Sequence, residues 1–140
     1  MKFKRVLYLV LIVGLLISIG TLPALAEEGD IAMWVHRARL AYTGRSSGGP
    51  DAVVAFIHIR DATLDMVEGA TVTATWTLPP DKDGVVEIRT ETVPTNEQGI
   101  AKFSVWEGRG DYKICIDDVT KDGRLYDPNL DREACPTLKW

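Results

Sequence analysis

Apolar and polar residues alternate one by one in several short runs of the chain, and turn-forming residues separate these runs. A period of two places successive side chains on opposite faces of a β-strand, so each run predicts a strand with one buried face. The clearest runs cover residues 53–60, 71–78, 101–105 and 112–117. Beyond residue 26 no segment shows a sustained 3.6-residue apolar period, and the sequence therefore predicts an all-β protein.

The alternation also predicts which side chains face the core. The inward sets are Val53, Ala55, Ile57 and Ile59; Val72, Ala74, Trp76 and Leu78; Ala101, Phe103 and Val105; and Tyr112, Ile114 and Ile116. Residues 31–42 also predict a strand, but the alternation fails at His36 and Arg37, which indicates a β-bulge. Residues 85–93 predict one or two short strands, and residues 133–139 predict the last strand.

About seven short strands follow one another at intervals of roughly 8–12 residues, which is typical of a β-sandwich with Greek-key connections. Each strand has a single apolar face, so two sheets have to pack on each other to bury these faces.

The N-terminal residues have the pattern of a signal peptide. Lys2, Lys4 and Arg5 give a positive start, residues 6–22 are almost wholly apolar, and Ala24-Leu25-Ala26 provides small residues for cleavage. We expect residues 1–26 to be removed and residues 27–140 to form one secreted, extracytoplasmic domain. The alternative is an uncleaved anchor, because 6–22 approaches the ~20 residues needed to span a bilayer.

Charge narrows the class of partner. The chain carries 20 acidic and 16 basic residues. Three of those basic residues precede position 27, so residues 27–140 carry a net charge of about −7. This excess predicts that neither nucleic acid nor an anionic membrane is a partner.

The two cysteines, Cys115 and Cys135, are an even pair in an exported chain and predict a disulfide. Cys115 lies on the outward set of its strand, so the bond would join two antiparallel strands outside the core and close the segment between them. We expect a static structural bond, with two unpaired thiols as the alternative.

Candidates for catalysis are sparse. The histidines and the serines beyond residue 26 are His36, His58, Ser46, Ser47 and Ser104, and no G-x-S-x-G motif occurs. A hydrolase needs a nucleophile, a base and an orienting group within hydrogen-bonding reach. The sequence therefore predicts neither an enzyme nor a cofactor.

Acidic residues crowd the segment between the cysteines, and carboxylates are ligands for Ca²⁺. The candidates are Asp117, Asp118, Asp122, Asp127 and Asp131. The stretch DVTKDG (118–123) does not match a calcium-binding loop, and Asp-Gly and Asp-Pro also form ordinary turns. The expected outcome is no bound metal.

Trp34, Trp106 and Trp140 offer a second kind of site, because exposed indole rings in a row stack on sugars. The alternative for these residues is packing at strand ends.

Four stretches together resemble the bacterial immunoglobulin-like modules: DAVVAFIHIRD (51–61), GATVTATWT (69–77), NEQGIAKFSV (96–105) and YKICIDDVTKDGRLYDP (112–128). The likeness is to the invasin-like type and to modules appended to secreted subtilisin-like proteases, over about residues 33–131. It implies an immunoglobulin-like sandwich without catalytic activity.

We expect such a module to bind an extracellular protein or a cell-surface polymer through an edge strand or the acidic segment 117–131. A carbohydrate-binding module and a purely structural domain are the alternatives. No oligomeric state is predicted.

Overall fold

The computed structural model describes residues 30–44, 52–106 and 109–139, which form an all-β fold. Its strands are β1 (Ile31–Thr43), β2 (Ala52–Asp61), β3 (Thr71–Thr77), β4 (Ile88–Pro94), β5 (Ile100–Val105), β6 (Tyr112–Thr120), β7 (Arg124–Tyr126) and β8 (Thr137–Leu138). One 3₁₀ turn, Pro128–Leu130, lies between β7 and β8. Within these ranges no helix is long and apolar enough to cross a membrane.

The strands form two four-stranded sheets. Sheet A has the order β5-β2-β1-β7, and sheet B has the order β4-β3-β6-β8. The β1–β7 pair is parallel, whereas the other pairs are antiparallel. Buried side chains of both sheets form one apolar cluster, which gives the molecule a sandwich-like, two-layered arrangement.

The inward sets predicted from the alternation are confirmed. All 14 side chains are buried, and Trp76, Tyr112 and Phe103 are the largest of the fully buried ones. The opposite face of β3 carries Thr71, Thr73, Thr75 and Thr77, which are half-buried or exposed. A branched Cβ suits the pleat and a hydroxyl tolerates water, so threonine fits this face.

The predicted bulge in β1 is also confirmed. The pairing of β1 with β2 shifts between Val35 and Arg37, so His36 is the extra residue. Val35 lies opposite Ile59, whereas Arg37 lies opposite His58.

The prediction of a last strand over 133–139 is wrong in extent, because only Thr137–Leu138 forms β8. The chain does run beside β6 before that point. The N–H groups of Ile114 and Ile116 donate to the carbonyls of Pro136 (3.2 Å) and Ala134 (2.8 Å). Pro136 has no N–H to return, so the ladder there is one-sided.

The sequence had indicated a simple loop between β6 and β8. The structure shows a longer path instead. It crosses to sheet A, where Arg124–Tyr126 pairs with Ile31–Met33. The buried carboxylate of Asp61 accepts a hydrogen bond from Arg124 Nη2 (3.2 Å) and another from the Thr63 hydroxyl (2.6 Å). The bond from Arg124 ties β7 to the end of β2.

The disulfide between Cys115 and Cys135 is confirmed. It links β6 to the segment that precedes β8 and encloses the crossover through β7. Such a bond is consistent with an extracytoplasmic protein. The predicted signal peptide (1–26), Ser46, Ser47 and Trp140 lie outside the described residues.

Candidate functional site

The outer face of sheet A carries most of the unusual surface chemistry of the described residues. Its cross-strand rows are Trp34–Arg60, Arg37–His58–Ile100, Arg39–Phe56–Lys102 and Ala41–Val54–Ser104. We call the side chains of Trp34, Arg37, Arg39, Phe56, His58, Arg60 and Lys102 the basic face. Neighbouring strands in a sheet lie about 4.8 Å apart, so the side chains within one row are close enough to contact one ligand.

The bulge at His36 is the reason why two of the arginines belong to this face. Before the bulge, the odd-numbered residues Met33 and Val35 point into the core. After it, the even-numbered residues Ala38 and Leu40 are the buried ones. If His36 were paired as in a regular strand, Arg37 and Arg39 would continue the inward series, because side-chain direction in a strand has a period of two.

No acidic residue shares the described strand positions that carry these cations. The outward positions of β1, β2 and β5 contain neither Asp nor Glu. The ion pairs among the described residues involve Arg89 with Glu87 and Arg124 with Asp61, and neither lies on the basic face. Among the described residues of this acidic protein, the outward positions of β1, β2 and β5 thus carry no charge other than positive charge.

The side chain of Arg60 is fixed in place, because its Nη1 donates a 2.6 Å hydrogen bond to the carbonyl of Leu64. Phe56 lies between Arg39 and Lys102 in its row and is half-buried. Its exposed part gives a flat apolar surface between two cations, which is the combination that charged sugar rings and aromatic anions contact.

Burial and the nearby positive charges lower the pKa of both histidines on this sheet. Burial lowers the pKa of His36, and Arg132, Arg60 and Arg37 lower it further. Burial likewise lowers the pKa of His58, with Arg37, His36 and Arg60 adding to the effect. A positive surrounding disfavours the protonated imidazole, so both side chains remain neutral until the pH falls below their ordinary range.

The tryptophans predicted as sugar ligands do not form a row in the described residues. Trp34 is half-buried beside Arg60, at one end of β2. Trp106 is 58% exposed and follows β5 beyond the pair Val53–Val105, at the other end. Along β2, the position of Trp34 at Arg60 and that of Trp106 near Val53 are seven residues apart, or about 23 Å. Of Trp34 and Trp106, only Trp34 therefore joins the basic face.

The acidic residues considered for calcium are dispersed, and no group of three or more metal-ligating residues occurs in the described part of the chain. Asp117 accepts a hydrogen bond from the Thr75 hydroxyl (2.6 Å), and Asp118 accepts one from the N–H of Val119 (2.9 Å). Asp122 is exposed in the turn before β7.

Asp127 and Asp131 have structural roles on either side of the 3₁₀ turn. Asp127 accepts hydrogen bonds from the backbone N–H and the side-chain amide of Asn129, both at 3.0 Å. Asp131 accepts hydrogen bonds from the N–H of Val35 (2.7 Å) and the hydroxyl of Tyr126 (2.6 Å). Burial and the Asp131 carboxylate raise the pKa of that phenol.

The three hydrolase candidates that the structure describes, His36, His58 and Ser104, do not assemble either. His58 lies opposite Ile100, four residues along β5 from Ser104. No hydrogen bond joins Ser104 to a histidine within the described ranges. The Nδ1 atom of His36 is buried without a hydrogen-bond partner, so it does not orient a second catalytic group.

A cavity of about 500 Å³ lies away from the basic face, beside the connection from β3 to β4, and is lined by residues that include Pro79, Pro80 and Val85. The surface of a sheet suits an extended ligand better than a small enclosed one.

The sequence had not indicated the basic face, although one signal was present. Phe56, His58 and Arg60 were predicted to point outward, and the bulge was predicted at the position that turns Arg37 and Arg39 outward. The overall negative charge hid this local excess, because a net charge says nothing about how charges are distributed. Comparison of the chain with models of protein families, with curated proteins and with solved structures gave no match.

Proposed function

We propose that this chain is an extracytoplasmic, non-catalytic immunoglobulin-like module with Greek-key topology, and that it binds an anionic cell-surface polysaccharide through the basic face. The observation that carries the proposal is the cluster of Arg37, Arg39, Arg60 and Lys102 on one sheet face without an acidic residue among the outward positions. Unpaired cations of this kind attract a polyanion and raise its local concentration.

The spacing of the cations supports a polymer as the ligand. Arg37 and Arg39 are two residues apart on one strand, which is about 6.6 Å. Arg39 and Lys102 are two strands apart, which is about 10 Å. An extended chain laid across the sheet would meet charges at both intervals, whereas a single small anion would reach only one or two of them.

The aromatic side chains favour a ligand that contains sugar rings. Trp34 lies beside Arg60, and Phe56 lies between Arg39 and Lys102. Rings next to cations contact the apolar faces of sugars while the cations bind their sulfate or carboxylate groups. The acidic segment 117–131 is less suited to ligand binding, because four of its five candidate carboxylates accept hydrogen bonds from backbone or side-chain donors of the fold.

The test compares binding of the purified exported protein to sulfated dextran, neutral dextran and duplex DNA at increasing salt. We expect binding to sulfated dextran that weakens as salt screens the charges, and no binding to neutral dextran. The double variant Arg37→Gln/Arg39→Gln should lower the affinity about tenfold at low salt. Lys113→Gln, an exposed cation on sheet B, is the matched control and should leave the affinity unchanged.

Equal binding to both dextrans would overturn the proposal, as would an equal loss in the two variants. Tighter binding to DNA than to sulfated dextran would keep the basic face as the site but replace the polysaccharide as its ligand.

A further inference from the structure

Among the described strands, none pairs with the outer edge of β4. β4 is the first strand in the order of sheet B and pairs only with β3 among the described strands. The N–H of Leu78 donates to the carbonyl of Glu87 (3.0 Å) at one end, and the N–H of Thr95 donates to the carbonyl of Ala70 (2.8 Å) at the other. Because hydrogen-bonded pairs alternate in an antiparallel ladder, Arg89, Glu91 and Val93 bond to β3.

The remaining residues of β4 therefore direct their backbone groups away from the sheet. Ile88, Thr90 and Thr92 present N–H and carbonyl groups to the free edge, with Thr90 at the centre of the three. Pro94 occupies the next outward position, where its missing N–H costs no bond to β3.

We infer that two copies of the chain associate through β4, which pairs antiparallel with β4 of a second copy about a two-fold axis at Thr90. In this register Thr90 lies opposite Thr90 of the partner subunit, and Arg89 lies opposite Glu91 of the partner subunit. Both charged pairs are then of opposite sign, and the two sheets B become one continuous sheet of eight strands. An interface of this kind is self-complementary, as a two-fold axis requires.

The charge pattern favours this register over its neighbours. An axis at Arg89 or at Glu91 would place two like charges directly opposite each other, which destabilises a strand pair. In the register centred on Thr90, Arg89 and Glu91 of the partner subunit form a non-hydrogen-bonded pair, in which side chains approach most closely. Ile88, which is 69% exposed, is covered in the same step.

Arg89 already forms an ion pair with Glu87 (2.8 Å), through Nε and Nη2. A guanidinium has five N–H donors, so one arginine side chain can contact more than one carboxylate.

The other sheet edges are less suited to self-pairing. The N–H of Ile59 donates to the carbonyl of Gly99 (2.8 Å), which by the same alternation directs Ile100, Lys102 and Ser104 of β5 to the free edge. Pairing about the central residue would place Lys102 opposite Lys102 of the partner subunit, and like charges repel. β7 and β8 contain three and two residues, too few for a stable ladder.

The test measures the sedimentation of the purified exported protein over a range of concentrations. We expect a reversible monomer–dimer equilibrium. Glu91→Arg and Arg89→Glu should each weaken the dimer about tenfold, because each replaces two attractive pairs by two repulsive ones. The double variant Arg89→Glu/Glu91→Arg restores opposite signs and should recover the dimer. Lys102→Glu on β5 is the matched control and should leave the equilibrium unchanged.

Thr90→Pro provides a second measurement, because it removes an outward N–H without removing a bond to β3. It should yield a folded monomer with an intact disulfide. If this variant does not fold, the charge reversals decide the question. A wild-type protein that stays monomeric at all concentrations would overturn the inference, and so would a dimer that survives both single reversals.

Discussion

The backbone N–H of Val35 donates a 2.7 Å hydrogen bond to the carboxylate of Asp131, 96 residues further along the chain. Next to it, the N–H of Asp127 bonds to the carbonyl of Met33 (2.9 Å), and the N–H of Arg132 bonds to the carbonyl of Val35 (3.1 Å). The segment after β7 thus forms hydrogen bonds with the backbone groups of Met33 and Val35 at the edge of β1, beyond the last pair of the β1–β7 ladder. In this position the Asp131 side chain replaces a backbone carbonyl.

We therefore expect Asp131→Ala to destabilise the protein by about 2 kcal/mol, because the N–H of buried Val35 would lose its only acceptor among the described residues. Asp131→Asn keeps an acceptor oxygen and should cost clearly less. Urea unfolding followed by circular dichroism compares the two variants. Equal losses would show that the hydrogen bond to Val35 does not determine the effect.

Deletion of His36 tests the role of the bulge. The deletion joins Val35 directly to Arg37, so Val35, Ala38 and Leu40 fall into regular alternation and keep their inward faces. We expect this variant to unfold cooperatively, with a loss below about 2 kcal/mol. Deletion of both His36 and Arg37 would turn Ala38 and Leu40 outward and should cost more than about 4 kcal/mol. Two deletion variants with the same thermal unfolding curve would contradict this account of β1.

The stability of the protein should fall as the pH is lowered below about 6.5. The pKa of His58 is lowered from its ordinary value of 6.5 by burial and then by Arg37, His36 and Arg60. Between the two pKa values the unfolded chain binds more protons than the folded one, so acid favours unfolding. The stability is complete above 6.5 and decreases towards the folded pKa. His58→Gln should flatten this dependence in urea unfolding between about pH 5 and 7.5.

The affinity of the basic face for a polyanion should rise at low pH, whereas the stability of the free protein falls. Sulfate groups keep their charge at pH 5, so any change in affinity for sulfated dextran comes from the protein. Protonation of His36 and His58 adds positive charge beside Arg37, Arg60 and Arg132, and the affinity should rise as the pH falls below about 6.5. The His58→Gln variant should show a smaller rise. An affinity independent of pH would place the polymer away from the histidines.

Replacement of both cysteines by serine should destabilise the protein by about 3 kcal/mol, because the disulfide closes a loop with a sequence separation of 20. Serine avoids the unpaired thiol that a single substitution would leave. Urea unfolding of the double variant should match that of reduced wild-type protein. A wild-type protein whose stability does not change on reduction would contradict a structural role for the bond.

The buried faces of β2, β3, β5 and β6 were predictable because each strand has one apolar face that only the correct register buries. Turn chemistry helped at specific positions. Gly99 has a φ of +66°, and a side chain there would approach the carbonyl of Ile59 to 2.8 Å. The bulge in β1 was predictable for the same reason as the strands, since it appears as an interruption of the alternation.

β7 and its parallel pairing with β1 were not predictable. Arg124, Leu125 and Tyr126 have no apolar alternation, and the pairing joins parts of the chain 93 residues apart. The roles of Asp61 and Asp131 depend on that crossover, so they were hidden as well. The basic face requires three strands in register, which no local pattern contains.

The disulfide also determines where a mechanical load would travel. If the two ends of the described domain were pulled apart, tension on Lys139 would pass at Cys135 through the sulfur bridge into β6. The crossover with β7 would lie in a closed covalent ring beside this path and would carry less of the force. If a polymer bound the basic face and a force acted on the C-terminal end, β7 would therefore stay paired with β1. After reduction of the disulfide, the whole force would act on the β1–β7 contact.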